Sequence, residues 1–261
     1  MKQKALLVIS FGTAYADTRE RTIGAIEATM KERFPDRQIC RAWTSSFLIK
    51  KVAKTEGLAV DTPEEALKKL ADQGVTDLIV QPTHLSNGFE NHRMLELLRD
   101  NAETFETIRV GTPLLSTEED RDCLAQVMPR LCLSGRTQPA ALLLMGHGSS
   151  KHPVPVYEQL QETFVNRKAD NVFVGTVEGT PDFDEARMRL EASGYRDVVL
   201  APLMIVAGDH ARNDLAGPDQ ESWKNRLESI GFRTEIIMAG LGEYPEIREM
   251  FVRHAKSAER L

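Results

Sequence analysis

The chain has 261 residues, 41% hydrophobic and 28% charged, with a formal net charge of -6. That is enough apolar material for two compact domains, and it leaves no diffuse positive field of the kind that holds nucleic acid. Three cysteines, Cys40, Cys123 and Cys132, with no C-x-x-C pair, point to neither a disulfide framework nor a zinc ribbon and fit a reducing cytoplasm.

Lys2-Gln3-Lys4, the apolar run from Ala5 to Phe11 and Ala14-Tyr15-Ala16 have the layout of a secretory leader. The run is at the short limit for one, and the same pattern recurs at 141–150, so it reads as a first strand, Lys4 to Phe11, of a soluble, cytoplasmic protein. No stretch approaches the roughly 18 apolar residues of a membrane span. A helix opens at Asp17-Thr18-Arg19-Glu20, carries Ile23, Ile26 and Met30 on one face and stops at Pro35-Asp36. Gln38 to Thr44 reads as a strand and Ser45 to Ala53 as a helix. Asp61-Thr62-Pro63 starts another helix, which Gly74 ends. A strand from Asp77 to Pro82, a helix from Asn91 to Asn101, a strand from Ile108 to Thr112 and a helix from Glu118 to Leu131 complete the first half.

Ser134 to Pro139 is polar and bounded by breakers, as a linker would be. The pattern then restarts. Strands at 141–145, 172–176, 197–202 and 234–239 alternate with helices at 156–165, 182–193 and 222–230, and a final helix spans about 243–260. Alternating strands and helices predict parallel sheets flanked by helices, an α/β fold. Phe11-Gly12-Thr13 answers His147-Gly148-Ser149, and Gly88-Phe89-Glu90, after Pro82, answers Gly208-Asp209-His210, after Pro202. We therefore expect an internal duplication: two similar domains, 1–133 and 140–261, around a cleft lined by strand-end loops, with the final helix free to pack back on the first.

At Gly146-His147-Gly148 an apolar strand ends in one imidazole between two residues without side chains, which would bare the backbone for a large ligand. His147, Glu178 and His210 each follow a strand of the second half, at the edge where open α/β sheets hold ligands. A lone turn histidine is more often structural. Together, two neutral imidazoles and a carboxylate suit a divalent first-row metal with positions left open for a substrate. By the repeat, Glu90 would face His210. His84 follows Pro82-Thr83, where lining the cleft and bonding the loop are equal readings; His92, His152 and His254 read as surface or loop residues. There is no G-x-x-x-x-G-K-[ST], no G-x-G-x-x-G after a strand and no G-x-S-x-G, so neither ATP nor a dinucleotide is signalled.

These residues carry a resemblance. Leu7 to Thr13, Pro82-Thr83-His84 through Gly88-Phe89-Glu90, Gly146-His147-Gly148, Val177-Glu178-Gly179, and Ala201-Pro202-Leu203-Met204 through Gly208-Asp209-His210 occur in order along nearly the whole chain. In them the chain resembles the anaerobic, single-subunit sirohydrochlorin cobaltochelatases of the ferrochelatase-like class II chelatases.

The resemblance implies two similar α/β domains around a tetrapyrrole cleft and insertion of Co2+ into sirohydrochlorin, without ATP, on the route to cobalamin. It implies that His147 and His210 bind the metal and accept pyrrole protons, that Glu178 is the carboxylate of the metal site, and that Glu90 is a second catalytic acid. Ser10, Phe11 and His84 would touch the substrate, and Lys151, Arg212 and Asn213 are offered as contacts for its eight carboxylates. Two imidazoles and one carboxylate do not themselves select cobalt, so Fe2+ and Ni2+ stay open. A ferrochelatase of the sirohaem route and a non-catalytic metal or tetrapyrrole carrier are the alternative readings. No nucleic-acid or membrane partner is expected, and homo-oligomerisation is left open.

Overall fold

In the computed structural model, which describes Gln3 to Leu261, the apolar runs bounded by glycine or proline form strands and the amphipathic stretches between them form helices. The leader-like stretch contributes the first strand, and its Lys2 lies outside the described residues. Among the described residues no helix is long and apolar enough to cross a membrane.

The chain divides into two units, the first running to Ser116 and including Gly242–Leu261, the second spanning Thr117–Leu241. In the first, β1 (Gln3–Ser10) is followed by α1 (Ala16–Arg19), a π turn (Glu20–Gly24) and α2 (Ala25–Arg33), which together bury Ile23, Ile26 and Met30. Then come β2 (Gln38–Trp43), α3 (Ser46–Glu56), α4 (Pro63–Asp72), β3 (Val75–Pro82), α5 (Phe89–Asp100) and β4 (Thr107–Val110). Thr62 closes a capping box with Glu65, and Pro63 sits at the helix start, so the α4 boundary is set by local chemistry. β1 is central and its last six residues are buried, as a strand covered on both faces must be.

The second unit holds α6 (Glu118–Leu133), β5 (Ala141–Gly148), α7 (Val156–Asn166), β6 (Val172–Glu178), α8 (Phe183–Ser193), β7 (Asp197–Pro202), a π turn (Ala211–Leu215), α9 (Trp223–Ser229) and β8 (Arg233–Ile236). α10 (Pro245–Lys256) and β9 (Glu259–Arg260) return to the first unit. The sheets run β2-β1-β3-β4-β9 and β6-β5-β7-β8. The first four strands of one thus repeat the order of the other, and all of these pairings are parallel.

Two expectations need correction. The boundary expected at 134–139 falls inside the second unit, because α6 packs on β5, β7 and α7 and buries Leu124, Met128 and Cys132 there. α10 makes the return to the first unit that the sequence allowed, packing on α2 and β3 with Ile247, Met250 and Phe251 buried. The final helix also stops at Lys256, and Glu259–Arg260 pairs antiparallel with β4, giving the first sheet one antiparallel edge.

Candidate functional site

β5 ends at the imidazole of His147, exposed at the carboxyl edge of the second sheet. Its Nδ1 lies 2.8 Å from the carbonyl oxygen of Gly148. A carbonyl only accepts, so Nδ1 carries the proton and the Nε2 lone pair is left for another partner. The flanking glycines do not open space for a ligand, as the sequence suggested. A Cβ at Gly146 would sit 2.2 Å from the Tyr157 ring, and one at Gly148 would sit 1.8 Å from the carbonyl oxygen of Glu178. The missing side chains admit the protein's own packing. The backbone N–H of Gly148 donates to the buried Tyr157 hydroxyl at 3.3 Å, so this phenol fixes the turn that carries His147. Burial pushes the Tyr157 pKa up, which keeps that acceptor neutral.

His210 immediately precedes the π turn that follows β7. Its Nδ1 donates to the carboxylate Oδ2 of Asp214, one turn along, at 2.6 Å. A carboxylate orients a histidine in this way and leaves Nε2 as the ring atom that faces another partner. The rings of His147 and His210 meet edge to face, with centroids 4.5 Å apart and an interplanar angle of 89°. Two imidazoles holding one ion at right angles, with metal–nitrogen bonds of ~2.1 Å, have centroids about 4.5 Å apart, so the spacing suits a pair of adjacent ligands.

Glu178 ends β6 one strand away, with its backbone paired to Gly148 and its side chain exposed. It is not drawn into the histidine pair: among the described residues no three His, Cys, Asp or Glu side chains are gathered closely enough to hold an ion. The close backbone approach at Gly148 brings the two strand ends together and leaves the carboxylate in solvent. What the structure brings together is therefore two imidazoles with parallel protonation, and the expected carboxylate stands beside them.

Comparison with known proteins places the whole chain. The family model described as cobalt chelatase (CbiK) matches residues 4–260. This chain belongs to the CbiK cobalt chelatase family. It is 40% identical to the sirohydrochlorin cobaltochelatase of Salmonella typhimurium over 256 residues, 98% of this chain and 96% of the relative. It is 30% identical to the sirohydrochlorin cobaltochelatase CbiKC of Nitratidesulfovibrio vulgaris over 262 residues, 99% and 91% of the two chains. The solved structure of SirB from Bacillus subtilis with Fe3+ matches with a TM-score of 0.65 at 16% identity, covering 98% of this chain and 95% of that one, which shows a shared fold.

The other residues expected to serve this chelatase are placed less uniformly. Ser10 is buried at 2% exposure, and its hydroxyl accepts from Thr83 Oγ1 at 2.9 Å, so it faces the interior and not a ligand. Both ring nitrogens of His84 are shielded from solvent, and among the described residues neither has a hydrogen-bond partner of good geometry, the Asn91 side chain being a neighbour. Burial lowers the His84 pKa, with the nearby Glu90 carboxylate and Asn91 side chain acting in the opposite direction. His84 as a residue is half-buried, but its two ring nitrogens face inward and not a ligand-bearing surface. Glu90 lies half-buried in the first turn of α5, where the helix dipole favours its charge. Phe11 is exposed, as are Lys151 in the loop after β5 and Asn213 in the π turn, while Arg212 in the same turn is half-buried.

Sequence reasoning missed Asp214 and Tyr157. The first had a signal: a carboxylate four residues after His210 lies on the same side of a helical turn. The second had none, because nothing in the sequence ties an α7 tyrosine to the turn nine residues before it.

Proposed function

We propose that the chain inserts Co2+ into sirohydrochlorin, without nucleotide hydrolysis, on the cobalamin route, and that His147 and His210 carry the metal and the protons. The observation behind this reading is the contact pair of imidazoles whose Nδ1 atoms are both committed to acceptors, leaving two Nε2 lone pairs on one small patch. The family and its curated relatives supply the substrate: a tetrapyrrole and a divalent ion.

Insertion has three demands: the ion must shed water, two pyrrole nitrogens must lose protons, and ring and ion must meet face on. In this reading the two imidazoles displace water from Co2+ at the strand ends, and the exposed Glu178 side chain turns in from solvent to add its carboxylate. As the ion passes to the pyrrole nitrogens, each vacated Nε2 can take the proton that a pyrrole releases. One doubly charged ion leaves the pair and two singly charged protons arrive, so the charge on the patch is unchanged through the exchange. Glu90 serves as a second proton acceptor. Holding both reactants in register removes an entropic cost that reaches roughly 7–11 kcal/mol in well-aligned systems. Metal identity is not set by two imidazoles and a carboxylate, which bind first-row ions in the Irving–Williams order.

The test is turnover at sub-stoichiometric protein, followed by the absorbance of the metal-free macrocycle with Co2+, Fe2+ or Ni2+ supplied singly and in competition. Many equivalents converted, fastest with Co2+, is the expected result. Conversion that stops at one equivalent would identify a carrier, and preference for Fe2+ in competition would move the chain to the sirohaem branch.

A further inference from the structure

Of the ten phenylalanines in the chain, seven are buried and three are exposed: Phe11, Phe47 and Phe89, at 53%, 68% and 46%. All three lie at the carboxyl edge of the first sheet. Phe11 follows the last residue of β1, Phe47 is the second residue of α3 just beyond β2, and Phe89 is the first residue of α5 beyond β3. These strands are neighbours in the order β2-β1-β3, so the strand ends that lead to the three residues span roughly 10 Å, about the width of a tetrapyrrole ring. The Ser45 N–H donates to the carbonyl of Phe11 at 3.3 Å and ties the first two positions together. Two of the rings carry cations. Lys51 Nζ is 5.9 Å from the centroid of Phe47, and Arg93 Cζ is 5.7 Å from that of Phe89.

A single exposed phenylalanine needs no explanation, but every exposed one on one edge of one sheet does. We infer that Phe11, Phe47 and Phe89 form a shelf on which the face of the tetrapyrrole rests, and that Lys51 and Arg93 meet carboxylates at the rim of the ring. The inference rests on the sirohydrochlorin reading above and deepens it. A macrocycle with an apolar face and an acidic edge needs apolar rings flanked by cations, and in a chain of net charge -6 such cations have to be supplied locally. Lys51 and Arg93 are held over the rings they flank, so they do not have to be gathered when substrate arrives.

The experiment measures binding of metal-free sirohydrochlorin by quenching of its fluorescence, then KM and kcat, for Phe47→Ala, Phe89→Ala, the double variant, Lys51→Gln and Arg93→Gln. Each phenylalanine change is expected to weaken binding and raise the sirohydrochlorin KM roughly tenfold, with the loss falling on KM and not on kcat. The lysine and arginine changes should cost about threefold and reduce the salt dependence of binding. Met188→Ala, an equally exposed apolar residue on α8, serves as the control and should match the parent. A double variant with parental affinity and KM overturns the shelf, as does one whose only change is a loss of self-association in sedimentation. If the parent binds the macrocycle but never turns over, the chelatase reading fails and the shelf stands; if the parent turns over and the variants match it, only the shelf fails.

Discussion

At the end of the central strand, the first sheet presents Phe11-Gly12 and the second His147-Gly148, and both glycines sit at positive φ, 101° and 74°. After the third strand the first unit continues into Gly88-Phe89-Glu90 and the second into Gly208-Asp209-His210. The same backbone design, in the same strand order, displays aromatic rings in one copy and imidazoles in the other. A duplicated scaffold lets each edge specialise while the turn that exposes the side chain is kept, since only a glycine adopts that left-handed turn without strain. The first edge thus carries exposed phenylalanines and the second the histidine pair.

The most damaging change to that division is at the second edge. His147→Ala and His210→Ala should each cut turnover by at least about 100-fold, the scale on which positioned proton acceptors act, with circular dichroism unchanged. Binding of the metal-free macrocycle should move by less than threefold. This pattern is the inverse of that expected for the phenylalanine shelf. A histidine variant that loses macrocycle affinity as heavily as turnover would break the comparison, because one edge would then be doing both jobs.

Asp214 gives a narrower test. Its carboxylate accepts the Nδ1–H of His210 at 2.6 Å, which in the proposed site makes it a positioning group for that ring. Asp214→Ala should lower Co2+ affinity, measured by calorimetry without the macrocycle, by roughly tenfold to a hundredfold, the range seen when such orienting groups are removed. Asp214→Asn keeps an oxygen acceptor for the Nδ1–H and should recover part of the loss. Equal losses in both variants would mean that the charge, and not the orientation, is what matters.

Much of this was legible in the chain. Asp197–Pro202 is read from sequence with the bounds the structure gives it, because an aliphatic run between a charged residue and a proline has one strand reading. The histidine pair was also within reach: β5 and β7 are adjacent in a parallel sheet, so loops leaving their carboxyl ends meet. The packing of α6 on the second unit was not, since an amphipathic helix records that it has a buried face but not which sheet covers it. The glycines around His147 were misread for a related reason. A missing side chain signals close approach, and the approaching group proved to be Tyr157 and the Glu178 carbonyl. Glu178 itself could be placed at a strand end, but where a carboxylate points is set by rotamers and solvent, and local sequence does not encode that.

The smallest expected effect separates the histidines of the two edges by burial. His147 is exposed, whereas both nitrogens of His84, in the loop after β3 of the first sheet, are shielded and have no well-formed hydrogen bond among the described residues. Enclosure holds the His84 pKa below its ordinary value, although Glu90 and Asn91 oppose the shift. In the unfolded chain the same imidazole titrates near 6.5. As pH falls through that value the unfolded state takes up a proton that the folded state refuses, so the linkage favours unfolding. The loss starts at the ordinary imidazole pKa and grows until the lowered folded value is reached; above it His84 contributes nothing to the pH dependence. His84→Leu removes both the proton site and the two unpaired nitrogens. Urea unfolding midpoints between about pH 7.5 and 5 should therefore fall less steeply for the variant than for the parent. The other ionisable groups are common to both proteins, so the difference in slope belongs to His84 together with its neighbour Glu90, and parallel slopes would show that the ring can be charged inside the fold.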